Sequence, residues 1–143
     1  DGRIWLHTGD SGYMDKDGNV YIIDRYKNIF MRNGFNVHPT AIKYAILSCP
    51  YVEDCYVVGV DHPYEMTVPV AFVVLKNNID KETVKTLLDK ICYDTLEEYY
   101  IPYEYIFVKE LPLNIGGKTM AEQLIKENNV VYTESSKSKM NLR

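Results

Sequence analysis

Leu111-Pro112-Leu113-Asn114-Ile115-Gly116-Gly117-Lys118 places a single lysine behind a Gly-Gly pair, after a strand-like segment that ends in proline. Glycine backbone can approach a ligand closely, and a lysine is a compact charge on a flexible stem. The chemistry that suits is charge stabilisation on a carboxylate, a phosphate, or the bond forming between them. A second group lies near the start of the chain. Thr8-Gly9-Asp10 offers a carboxylate, and Asp24-Arg25-Tyr26-Lys27 offers a guanidinium and an ammonium. His7, His38 and His62 are scattered, and none is expected to act as a base.

These groups need elements to hold them. Two β-prone runs flank Asp15-Lys16-Asp17-Gly18, which predicts a hairpin. That turn has its glycine too early for a calcium loop and no bidentate Glu at its end. Residues 25–32 are short and mixed, and Asn33-Gly34 marks a turn. A helix begins at 38–40 with proline in its first turn. Ile42, Ala45, Ile46 and Cys49 give it one apolar face, and Pro50 ends it. Residues 52–60 read as a strand, and 68–75 as a second one buried on both faces. Asp80 is placed to cap a helix carrying Val84, Leu87, Leu88 and Ile91. Tyr103 to Val108 reads as a third strand, and Met120 and Leu124 fall in a short last helix. The fold class expected is α+β: a small mixed or antiparallel three-stranded sheet with flanking helices, preceded by a β-hairpin.

The totals narrow the function. The chain has 143 residues, 46% of them hydrophobic, and a net charge of −4. A core is affordable, and a nucleic-acid partner, which asks for a basic face, is not expected. No apolar run reaches the roughly 20 residues of a membrane span. Cys49, Cys55 and Cys92 have neither zinc nor redox spacing and are expected to be reduced, packed and cytoplasmic. An opening on Asp1-Gly2-Arg3, with no initiator Met, is expected of a piece of a longer protein.

The motifs fall in a recognisable order: Trp5-x-x-Thr8-Gly9-Asp10, Asp24-Arg25-Tyr26-Lys27-Asn28, Gly34-x-Asn36-Val37-x-Pro39, Val57-Val58-Gly59-Val60 with Ala71-Phe72-Val73-Val74, and Leu111-Pro112…Gly117-Lys118. The series resembles the C-terminal end of adenylate-forming enzymes: acyl-CoA synthetases, luciferases and non-ribosomal adenylation domains. It covers the chain to about Leu124. Pro39 and the Asp24–Lys27 run look like the acyl-CoA synthetase and luciferase branch.

The resemblance implies an acid–thiol ligase, in which a carboxylate attacks MgATP to give acyl-AMP and a thiol, coenzyme A, displaces AMP. It implies that Lys118 is the adenylation lysine, that Asp10 and Arg25 bind the nucleotide, that Lys27 is the hinge, and that Gly34 lines the pantetheine tunnel. Residues 1–26 would be the edge of a large N-terminal domain with its hinge, 27–130 the mobile lid, and 131–143 a frayed polar tail. The partners implied are that N-terminal domain, a small carboxylate and coenzyme A. ATP and Mg2+ would be held mainly outside this chain, and no metal ligand is expected within it. The isolated piece would be inactive. Met31 replaces a second lysine common in the family, Ala41 and Lys43 replace two glutamates, and Met66-Thr67 replace a Gly-Glu pair unless Glu65 fills that glutamate's role with a shift. These departures keep two alternatives open: a degenerate lid serving as a binding module, and a lid that loads a carrier protein.

Overall fold

The computed structural model describes residues 2–133. Strands β1 (Asp10–Met14) and β2 (Val20–Arg25) form an antiparallel hairpin with a bulge at Ser11/Gly12. The Asp15 carboxylate closes its turn, accepting the backbone N–H of Asp17 and Asn19, each at 2.9 Å, and the Asn19 side-chain amide at 3.0 Å. These hydrogen bonds, led by Asn19, hold the Asp15 carboxyl below its usual range. The loop satisfies its own carboxylate with protein donors, as the turn reading requires.

A single 3₁₀ turn (Tyr26–Asn28) leads to β3 (Phe30–Arg32) and β4 (Phe35–Val37). Asn33 (φ 49°) and Gly34 (φ 85°) both lie in the left-handed region, the geometry of a tight two-residue hairpin. Helix α1 (Pro39–Leu47) follows, then β5 (Val52–His62) and β6 (Met66–Leu75) as a long antiparallel pair. Helix α2 (Lys81–Thr95) is capped by Asp80, which accepts the Thr83 N–H at 2.9 Å. β7 (Glu104–Phe107) runs parallel to β6, and α3 (Ala121–Glu127) closes the described chain.

β6 is the centre of the sheet. It pairs with β5 on one edge and with β7 and β3 on the other, and residues 68–74 are all buried. One face carries α1 and α2, with Ile42, Ile46, Val84, Leu88 and Cys92 packed on Cys55, Val57, Ala71 and Val73. Leu124 of α3 and Val130 cover Val60, Val70 and Phe72 on the other face. The α+β class, the mixed sheet and the flanking helices stand as expected. The strand count does not: the sheet has five strands rather than three. β3 and β4 are three residues each, too short to show an alternation, and exist because a tight turn folds them together and Arg32 registers with Met66.

All three cysteines are free and buried. Burial pushes the Cys55 thiol up to about 12, so it is a packing group at neutral pH. No helix among the described residues is long and apolar enough to cross a membrane. From residue 134 onward the expected tail lies outside the described residues. Within the described start of that expected tail, residues 131–133, Tyr132 is not frayed: it is partly buried, and its hydroxyl donates to Glu104 Oε2 at 2.6 Å.

Candidate functional site

The hairpin register makes Asp10 and Arg25 direct cross-strand partners. Arg25 Nη1 donates to Asp10 Oδ1 at 3.0 Å, and Tyr26 N–H donates to the Gly9 carbonyl at 2.9 Å. The side chains are 49% and 25% exposed, so the pair adds little to stability and stays open to solvent. A carboxylate acceptor beside a guanidinium donor is suited to a polar, partly anionic ligand such as a sugar phosphate.

Lys27 is exposed, in the middle of the 3₁₀ turn. Arg25 and Ile29 flank it in extended conformation, and the turn is closed by one backbone hydrogen bond, from Ile29 N–H to Tyr26 O at 3.2 Å. One such bond holds few of the turn's backbone groups in place. Lys27 also borders a shallow groove of about 200 Å³, shared with Gly59 and with Ala121, the first residue of α3. Through that groove the 3₁₀ turn shares a surface with the segment that follows the Lys118 turn.

Lys118 sits on a tight loop clamped by Asn114. The Asn114 N–H donates to the Lys118 carbonyl at 2.8 Å, and Asn114 Oδ1 accepts the Lys118 N–H at 3.0 Å. The Gly117 N–H closes the loop on the Asn114 carbonyl at 2.9 Å, and Gly117 has φ 79°, a conformation that favours glycine. Leu113 bridges to Thr119 across the base. The backbone of Lys118 is therefore fixed, while its side chain is exposed and makes no ion pair among the described residues. Sequence reading passed over Asn114; its signal was an Asn four residues before the lysine with Gly-Gly between, an Asx-type turn.

Asn33 and Phe35, the two neighbours of Gly34, line an open cleft of about 910 Å³, whereas Gly34 itself does not. Phe35 stacks on Tyr99 with ring centroids 4.6 Å apart. On the cleft wall Arg32 Nε donates to Glu65 Oε2 at 2.5 Å, and Arg32 Nη1 donates to the Ile101 carbonyl at 2.8 Å. Both side chains are nearly buried, so the pair locks β3 to the β5–β6 loop. Arg32 did not stand out in the sequence, and its pairing with Glu65 left no local signal, because the two are 33 positions apart.

His62 organises the same loop. Its Nδ1 accepts the N–H of Tyr64 at 3.3 Å and of Glu65 at 3.2 Å, so the neutral ring carries its proton on Nε2. Nε2 is buried without a hydrogen-bond partner. Burial lowers the His62 pKa, the Glu65 charge opposes that, and Arg32 adds to it. Met66, which follows Glu65 on the same loop, has φ 67°, in the left-handed region.

Asp10 and Arg25 are thus brought together, Lys27 lines one groove with the first residue of α3, and the neighbours of Gly34 line a different cleft. Among the described residues no three His, Cys, Asp or Glu side chains gather as a metal site.

The AMP-binding enzyme C-terminal domain family matches residues 42–118. The long-chain-fatty-acid–CoA ligase of Bacillus subtilis (strain 168) is 37% identical over 123 residues, 86% of this chain and 22% of that protein. The 2-succinylbenzoate–CoA ligase of Geobacillus kaustophilus is 37% identical over 120 residues, 84% of this chain and 24% of that protein. Among solved structures, o-succinylbenzoate CoA synthetase from B. subtilis, in complex with its acyl-adenylate intermediate, superimposes with a TM-score of 0.75 at 32% identity, covering 84% of this chain and 24% of that one. An amide bond synthetase from Marinactinospora thermotolerans gives 0.77 at 28% identity, over 86% and 25%. The chain spans about a quarter of the length of the curated relatives it matches.

Proposed function

The chain belongs to the AMP-binding enzyme C-terminal domain family, and on that premise we propose that it is the lid of an AMP-forming acid–thiol ligase. The whole protein would use ATP to convert a carboxylic acid to an acyl-adenylate, then pass the acyl group to a thiol, coenzyme A. Residues 1–26 would be the edge of the large domain with its hinge, and 27–130 the lid.

The observation that carries this reading is Lys118: a fixed backbone on a clamped turn, and an ammonium left exposed with no ion pair among the described residues. Two anions, a carboxylate and a triphosphate, must approach before they react. A positioned cation lowers their repulsion and stabilises the charge that develops at the reacting centre. Asp10 would accept the ribose hydroxyls, and Arg25, already oriented by Asp10, would contact the nucleotide beside them. Magnesium would accompany ATP on residues outside this chain. In the second step the lid would turn about Lys27 and present the Gly34 turn, where the acceptor thiol would enter. Met31, 44% exposed on β3, supplies no charge there.

The test is Lys118→Ala in the full-length protein. Carboxylate-dependent ATP–pyrophosphate exchange is expected to fall by about 10²–10³-fold, the loss typical of removing one transition-state donor. A wild-type protein that exchanges with no carboxylic acid would instead leave a lid kept as a binding module.

A further inference from the structure

Helix α1 has an unusual cap. Its N-cap residue, His38, makes no side-chain capping hydrogen bond. The N–H of Thr40 is instead accepted by Asp24 Oδ2 at 2.9 Å, from the end of β2, sixteen positions back along the chain. The other oxygen, Oδ1, accepts the Arg25 N–H at 2.8 Å. Asp24 is only 6% exposed, while its neighbours on β2, Ile23 and Arg25, are open to solvent. A buried carboxylate at the start of a helix meets both an orphan amide and the positive end of the helix dipole.

Lys27 lies between the two ends of this bond. We infer that Asp24 is a positioning residue that clasps the lid in one of its orientations. The inference rests on the reading of Lys27 as the pivot. A turn about Lys27 that leaves the hairpin with the large domain carries Thr40 away from Asp24. The cap therefore exists in one lid orientation and is broken in the other. A side-chain cap shifts an equilibrium by about five- to tenfold when it is present in one state only. Asp24 would thus set how the enzyme divides its time between its two half-reactions while touching neither substrate.

The test is made in the full-length protein, with fluorophores at Asp17→Cys on the hairpin and Lys90→Cys on α2. Distance distributions report the two orientations whether or not a substrate is known. Asp24→Ala is expected to move the population ratio away from the capped orientation by about five- to tenfold. Asp24→Asn has one amide oxygen, which keeps the Thr40 N–H, and an NH2 that cannot accept the Arg25 N–H; that second loss is local to the hairpin and common to both orientations, so the ratio is expected to stay within about twofold of wild type. Should the alanine variant fail to fold, Asp24→Ser is too short to reach both amides and gives the same reading. An unchanged distribution in the alanine or serine variant overturns the inference, as does an equal shift in the asparagine variant. Lack of pyrophosphate exchange alongside the expected shift would break the ligase reading and leave the clasp intact.

Discussion

Ile22 and Ile46 are the same residue in two regions with opposite fates. Ile46, on α1, is completely buried, whereas Ile22, on the hairpin, is 62% exposed. The hairpin is well formed locally: the Asp15 turn closes it and Tyr13 stacks on Tyr21 at 5.0 Å. Yet Val20, Tyr21, Ile22 and Ile23 leave apolar surface on both of its faces, and Ile4, Trp5 and Leu6 just before it are exposed as well. A two-stranded ribbon with two apolar faces is marginal by itself, and apolar surface of this extent marks an interface. The five-stranded sheet, in contrast, is covered on both faces by its own helices. Regular hydrogen bonding does not make a region self-sufficient; burial does.

The largest expected effect tests that contrast directly. In the 143-residue chain Ile46→Ala should lower the unfolding free energy by about 2–5 kcal/mol, as a core cavity does. Ile22→Ala should change it by less than about 0.5 kcal/mol. Urea unfolding measures both, and a comparable loss at Ile22 would mean that the hairpin is covered within this chain. A smaller gain probes strain inside the sheet. Met66 holds φ 67° at the first position of β6, so Met66→Gly should stabilise the protein by up to about 1 kcal/mol, since relief of the left-handed penalty outweighs the added chain entropy. A lower urea midpoint would show that the exposed Met side chain matters more than its backbone.

The smallest effect is graded with pH. Burial lowers the His62 pKa from its ordinary 6.5, so in the window below that value the unfolded chain binds a proton that the folded chain refuses. Stability from this group is complete above pH 6.5 and falls as pH drops below it. Glu65, which faces the ring, moderates the loss, and Arg32 deepens it. Urea midpoints at pH 7.5 and 5.5 should differ less in His62→Asn, whose Oδ1 can accept the same two amides. An identical pH slope in that variant would remove His62 as the cause.

Much of the fold was legible because its signals are local. Pro39 opens α1, Asp80 caps α2 through Thr83, and the unbroken apolar run in β6 marks a strand buried on both faces. The candidate residues were legible for another reason: Asp10, Arg25, Lys27 and Lys118 stand in motifs whose order is itself informative. What escaped notice joins positions far apart. Arg32 reaches Glu65, Asp24 reaches Thr40, and Tyr132 reaches Glu104. No periodicity links such pairs, and the three-residue strands β3 and β4 have too few positions to show one.

From its residues alone this chain determined its helices, its central strand and the lysine held behind a Gly-Gly turn, because capping, periodicity and turn geometry act within a few positions. Tertiary structure alone decided that Asp24 caps a helix beyond the 3₁₀ turn, that His62 holds the Glu65 loop, and that the hairpin keeps its apolar faces uncovered. Those outcomes depend on which distant surfaces meet, and short-range propensity carries no record of that.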